Sequence, residues 1–250
     1  MTGPSCAIPI IVVSWNHLEQ TTAPCLRSLR RFTGGRYRVL CVDNGSTDGT
    51  CAWLQRLSER DPRFQAILLP ENRGWNGGTL EGLAHVSEQE PCVCLLNSDT
   101  LVTPRWLDKL RAHLFGRADL SAVIPHEIPL PVRGSSEKAP RLAGAVPLEE
   151  PGTLPPAAPA LLDQVLAVAA EVERRFAGRT VPGMPSGFCA LVKRQALPLL
   201  RRYLRDFERY RRGELDVNAL FKGQHCRIAL DTYVFHARGG SGGYYDYRDG

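Results

Sequence analysis

The chain has 250 residues, 43% of them hydrophobic and 23% charged, ordinary globular usage that excludes wholesale disorder. Its formal net charge of +5 suits an anionic small substrate, or loose contact with a membrane surface, and is too weak to imply nucleic acid. No stretch approaches the ~18 uninterrupted apolar residues of a membrane-spanning helix, and the first residues lack the basic segment of a signal peptide.

The β-branched run 8–13 predicts a strand buried on both faces, and 18–29 follows at helical spacing. A second buried strand, 38–42, closes on the turn cluster Asp43-Asn44-Gly45-Ser46-Thr47-Asp48-Gly49, and a helix is predicted over 50–60. Residues 66–69 read as a third strand. The Gly-rich loop 72–78 opens a helix through His85, and 92–96 is a fourth strand ending in Asn97-Ser98-Asp99. Four strand–loop–helix units predict a single α/β domain, a mostly parallel sheet with helices on both faces. Right-handed crossovers then set the loops after the strands along one edge, where open sheets bind ligands.

Nine prolines in 125–159 predict an irregular excursion over the substrate side, with a disordered linker as the alternative. An amphipathic helix over 161–176 and a strand over 186–192 follow. Next come a basic helix over 199–212 and strands at 228–230 and 233–235. A Gly/Tyr-rich tail from Arg238 reads as a lid or a frayed terminus. This divides the chain into a nucleotide half (1–114), an insertion with its helix (115–180) and an acceptor half (181–250). The eight cysteines, with no Cys-x-x-Cys among them, read as buried small hydrophobes in a reducing cytoplasm.

Asp43 follows a buried strand beside a helix start, where a carboxylate either shapes the turn or binds a ribose or base edge. Asp99 ends an unbroken apolar strand. A carboxylate there is costly unless it faces a crevice or a metal; Mg²⁺ bridging it to a diphosphate is the natural use, and a helix cap is the alternative. Six arginines in 201–212 form either a solvated face or a contact for an anionic acceptor.

Val12-Val13-Ser14-Trp15-Asn16, the Asp43–Gly49 cluster, Asn72-Arg73-Gly74 and Leu96-Asn97-Ser98-Asp99 together resemble the donor half of family-2 glycosyltransferases with the GT-A, Rossmann-like fold. Ser186-Gly187-Phe188-Cys189-Ala190-Leu191-Val192, Gly213-Glu214-Leu215-Asp216 and Ala229-Leu230-Asp231-Thr232-Tyr233-Val234-Phe235-His236 resemble the later half. The motifs resemble those of inverting, non-processive members of a rhamnosyltransferase-like bacterial branch. The resemblance implies a nucleotide site of Ser14, Asn16, Asp43, Arg73, Asn97 and Ser98, and a divalent metal, Mg²⁺ or Mn²⁺, at Asp99 and His236. It implies Glu214 as the catalytic base, with Asp216 the competing candidate. It further implies a UDP-, dTDP- or GDP-sugar donor, and a glycan, lipid-linked or small-molecule acceptor. The place of action would be the cytoplasm, including the inner face of the membrane.

The chain departs from the family pattern at Asn97, where an amide replaces the first carboxylate of the metal motif. It also lacks the Gln-x-x-Arg-Trp motif of processive synthases. A bland alternative makes Glu214 and Asp216 a solvated helix start and His236 a strand-end histidine. A nucleotidyltransferase or a non-catalytic sugar-nucleotide-binding protein are the competing functions; the first lacks its basic Gly-rich signature after strand one.

Overall fold

The structure, a computed structural model, describes residues 6–126, 159–183, 188–220 and 222–237. Residues 127–158 of the proline-rich segment, Ser186, Gly187 and the tail from Arg238 lie outside the described residues. Strand β1 (Ile8–Ser14) is buried at every position. After left-handed Asn16 and His17, a π-helical turn (Leu18–Thr22) runs directly into α1 (Ala23–Phe32), so the helix expected over 18–29 is present with its first turn wound as π. There follow β2 (Tyr37–Asn44), α2 (Thr50–Arg60), β3 (Phe64–Leu69), α3 (Gly74–Ala84), β4 (Cys92–Asn97), β5 (Thr100–Leu101) and α4 (Trp106–Phe115). The rest is β6 (Leu120–His126), α5 (Pro159–Phe176), β7 (Thr180–Gly183), β8 (Cys189–Lys193), α6 (Leu197–Arg205), α7 (Phe207–Arg211), α8 (Val217–Leu220), β9 (His225–Tyr233) and β10 (Phe235–His236).

Eight strands form one sheet in the order β3-β2-β1-β4-β8-β6-β9-β7, and β10 pairs with β5 in a small second sheet. Strands β1 to β4 are mutually parallel, while β8 runs antiparallel between β4 and β6. The sheet is therefore mixed, within the single α/β architecture expected. One apolar layer packs β1, β2 and β4 against α1 and α4 through Leu26, Leu29, Trp106 and Leu110. The opposite face packs Ile11, Val13, Leu40 and Leu95 with Leu83 and Leu204.

Two expectations change. The segment 120–126, assigned to the insertion, is a core strand whose Val123 and Ile124 are buried between β8 and β9; its run is short and ends in Pro125-His126, which hid its period. The basic helix expected over 199–212 is broken at Asp206, the residue between α6 and α7. The cysteines are free, with Cys25, Cys41, Cys92, Cys94 and Cys189 buried. Burial pushes the Cys25 thiol up to about 12, so it packs as a neutral small hydrophobe. Among the described residues, no helix is long and apolar enough to cross a membrane.

Candidate active site

Parallel pairing sets the carboxyl ends of β1, β2 and β4 side by side. Ser14 is registered with Asp43, and Val13 with Asn97. With strands ~4.8 Å apart, Asp43 and Asn97 stand about 10 Å apart along this edge.

At the end of β2, Asp43 is buried, and its Oδ2 accepts a hydrogen bond from the Ser46 amide at 3.1 Å. Its Oδ1 is buried with no partner. The carboxylate thus shapes the turn through one oxygen and leaves the other without a protein partner. Ser14 and Asn16 serve the frame. The Ser14 hydroxyl donates to the Val42 carbonyl at 3.3 Å. The Asn16 amide donates to Ser46 Oγ, and Asn16 Oδ1 accepts from the Thr47 amide, both at 2.8 Å.

Asp48 and Asn44 were not singled out from the sequence. Asp48 accepts from the Leu18 and Thr50 amides, each at 3.1 Å, and from the Thr50 hydroxyl at 2.6 Å. Its partial burial opposes ionisation, but these hydrogen bonds outweigh it and hold the carboxyl below its usual range. Asn44 is buried, and its amide group donates to Asn72 Oδ1 at 2.7 Å and to the Gly74 carbonyl at 3.2 Å. Its Oδ1 accepts from the Arg73 amide at 3.0 Å. Arg73 is therefore fixed through its backbone, while its guanidinium lies 3.8 Å from both Glu71 and Glu81.

The expected Gly-rich loop is mostly helix: α3 begins at Gly74. A Cβ on Gly78 or Gly82 would stand 2.6 Å from the side chain of Val13 or Ile11. These glycines let the helix lie close on β1.

The small sheet brings together Asp99 and His236, the residues expected to hold a metal. Pairing of His236 with Thr100, and the bond from the Ala237 amide to the Asp99 carbonyl at 2.9 Å, bring the histidine to the carboxylate. His236 Nε2 is 3.3 Å from Asp99 Oδ1 and 3.5 Å from Asn97 Nδ2. The imidazole stacks on Phe188 with centroids 5.0 Å apart. Asp99 is buried, yet its Oδ1 accepts no well-directed hydrogen bond, and Asn97 Oδ1 has no partner. Ser98 is buried beside them. Unsatisfied buried acceptors cost ~1–3 kcal/mol each, and Asp43 Oδ1, Asn97 Oδ1 and Asp99 Oδ1, the last within ion-pair distance of His236, could all accept from a ligand at this edge. Among the described residues no group of three or more His, Cys, Asp and Glu could hold a metal ion by itself.

In the segment expected to carry the base, Gly213 has φ +75° and residues 212–215 form a turn rather than a helix. Glu214 is exposed and ion-paired with Arg212 at 2.7 Å and Arg209 at 3.4 Å. The Arg212 hydrogen bond, aided by Arg209, holds its carboxyl below the usual range. Asp216 precedes α8, and its carbonyl accepts from the Leu220 amide at 3.2 Å. His126, another residue not singled out from the sequence, ends β6 at the crevice edge with a buried, unpaired Nδ1.

The family described as "Glycosyl transferase family 2" matches residues 10–139, just over half of the chain. An N-acetylglucosaminyltransferase of Rhizobium leguminosarum bv. phaseoli is 39% identical over 70 residues, 27% of this chain and 16% of the relative. A putative glycosyltransferase TagX of Staphylococcus aureus is 27% identical over 121 residues, 47% and 33% respectively. The chain thus spans a third or less of these curated relatives. Among solved structures, GalNAc-T7 with UDP, GalNAc and Mn²⁺ superposes with a TM-score of 0.59 at 14% identity, over 92% of this chain and 43% of that one. S. aureus TarS 1-349 superposes at 0.54 and 14%, over 94% and 61%. These two share the GT-A architecture of the sheet described above. By its family match and its fold, the chain belongs to glycosyltransferase family 2.

Proposed function

We propose that this chain transfers a sugar from a nucleotide-diphosphate donor to an acceptor hydroxyl, with inversion and metal assistance. The observation that carries the reading is the cluster of unsatisfied buried acceptors, Asp43 Oδ1, Asn97 Oδ1 and Asp99 Oδ1, on one sheet edge beside His236. Asp43 Oδ1 would accept a hydrogen bond from the donor's base, with Arg73, Ser14, Asn16, Asn97 and Ser98 around the nucleotide.

Asp99 and His236 fit a divalent cation, Mg²⁺ or Mn²⁺, as a hard carboxylate oxygen and an imidazole nitrogen within reach of one ion. Bound there, the cation would neutralise charge developing on the departing diphosphate, whose own oxygens would complete the coordination. The acceptor oxygen attacks the anomeric carbon from the face opposite the diphosphate. Glu214 takes its proton, and the diphosphate leaves with the bonding electrons. Release of Glu214 from Arg209 and Arg212 by an incoming acceptor would raise its basicity for that step. Asp216 is the competing base. Lipid-linked, glycan and small-molecule acceptors all present the required hydroxyl, and a lipid-linked one would bring the chain to the inner membrane face.

The relatives named N-acetylglucosaminyltransferase make UDP-GlcNAc the first donor to try, and the rhamnosyltransferase-like motifs make dTDP-rhamnose the second. Thermal shift with these and GDP-mannose, with and without Mn²⁺, tests the reading. At 100 times its dissociation constant a donor adds ~2.7 kcal/mol, roughly 5–10 °C for a chain of this size. Stabilisation together with release of nucleoside diphosphate is expected. No shift with any donor overturns the reading. Binding without turnover in the presence of acceptor extracts would favour the non-catalytic alternative.

A further inference from the structure

The amino-terminal edge of the sheet carries a second concave site. Because β4 spans six residues, it lies ~20 Å from the donor crevice. There, a cavity of about 510 Å³ is lined by Val86, Glu88, Arg194, Gln195, Leu197, Pro198 and Arg201. Two arginines at its wall are tied to backbone carbonyls. Arg194 donates from Nε to the Glu90 carbonyl at 2.8 Å and from its terminal nitrogen to the Ser87 carbonyl. Arg201 donates to the Leu83 carbonyl at 2.7 Å.

Closing off the end of α3 and the turn after it occupies one edge of each guanidinium and leaves the remaining N–H groups unused by these bonds. Burial, then repulsion from Arg205 and Arg194, holds the Arg201 guanidinium below its ordinary value. Two guanidiniums line this hollow, Arg194 and Arg201, with Glu88 the lone acid among its lining residues, so the local field carries a positive excess that an anion would relieve. Planar N–H forks match phosphate oxygens bidentately.

We propose that this cavity is a second binding site, separate from the donor crevice, for a phosphate-class anion held by Arg194 and Arg201. Free phosphate and the phosphate of a lipid headgroup present the same chemistry.

Two arms separate these sources: calorimetric titration with inorganic phosphate, and co-sedimentation with phosphatidylcholine vesicles with and without phosphatidylglycerol. Arg201→Gln should weaken whichever binding is found by at least 10-fold. Gln195→Glu leaves both guanidinium–carbonyl bonds intact, adds a negative charge at the rim, and should do the same without lowering the melting temperature. Asp99→Asn, which alters the donor crevice, should leave it unchanged, so a failed donor reading would not mimic a failure here. Saturable phosphate binding assigns the free ion; binding to anionic vesicles alone assigns the headgroup. Absence of both, or equal binding by Gln195→Glu and the unmodified protein, overturns the proposal.

Discussion

His236 Nε2 stands 3.3 Å from Asp99 Oδ1, although the two residues are separated by more than half of the chain. A two-residue strand pair, His236 with Thr100 and Phe235 with Leu101, makes the contact. The carboxylate is buried and incompletely hydrogen-bonded, so its charge is costly until a cation shares it. Asp99→Asn should therefore lower transfer by two or more orders of magnitude while leaving the melting temperature unchanged or raised. Circular dichroism melts and a diphosphate-release assay with and without chelator check this. A variant with full activity removes Asp99 from the metal role.

Asp43 divides its oxygens, Oδ2 to the Ser46 amide and Oδ1 to no protein partner. Asp43→Asn can keep the turn through its remaining oxygen but would present N–H donors where the donor's base needs an acceptor. Donor affinity should fall about 10-fold or more, equally with and without metal, as expected for one lost charge-assisted bond. Calorimetry showing equal affinity takes Asp43 out of the base site.

Glu214 and Asp216 differ in what holds them. Glu214→Gln frees Arg209 and Arg212 and should cut turnover by ~10²-fold or more, with donor affinity nearly intact, the pattern of an interaction made in the transition state. Asp216→Asn should be milder. The reverse ranking assigns the base to Asp216.

Gly78 and Gly82 sit in a helix interior, where alanine ordinarily gains ~0.5–1 kcal/mol. Here, the new Cβ would stand 2.6 Å from Val13 or Ile11, on a strand fixed from both sides, and overpacking of this kind costs ~1–3 kcal/mol. The clash wins. Gly78→Ala and Gly82→Ala should each lower the melting temperature by a few degrees, and because Val13 adjoins Ser14, Gly78→Ala should also weaken donor binding. An unchanged or higher melting temperature in both variants would show that β1 yields.

Asp231 ties three elements together: Oδ1 is 2.8 Å from His113 of α4, and Oδ2 accepts from the Gly178 amide after α5 at 2.8 Å. Burial raises its pKa, but these bonds outweigh it and the carboxyl lies below the usual range. A depressed folded-state pKa means that the stabilisation is present above the unfolded value of ~3.9 and is lost as pH falls through the folded value. Asp231→Asn should destabilise at neutral pH and flatten the acid limb of the stability curve. Denaturant melts between neutrality and pH 3 that run parallel for both proteins would exclude the linkage.

Asp43, Asp99 and the four parallel strands were legible because each depends on local order: an apolar run buried on both faces, followed at once by a polar turn. The family resemblance extended to His236 by motif, but its approach to Asp99 was decided by β10 docking on β5, a pairing too short to leave a period in the sequence. Strand β6 was missed for a related reason, since Leu120–His126 becomes a core strand only between β8 and β9. The roles of Asn16, Asn44 and Asp48 were likewise decided in three dimensions. Residue type says that such side chains favour turns; only the folded loops determine which amides they bind and which oxygens remain for a ligand. Glu214 shows the same division. The sequence by itself placed an acid after Gly213, and the tertiary structure turned that acid toward Arg209 and Arg212, because the chain reverses there, with the Glu214 amide bonded to the Arg209 carbonyl at 2.9 Å.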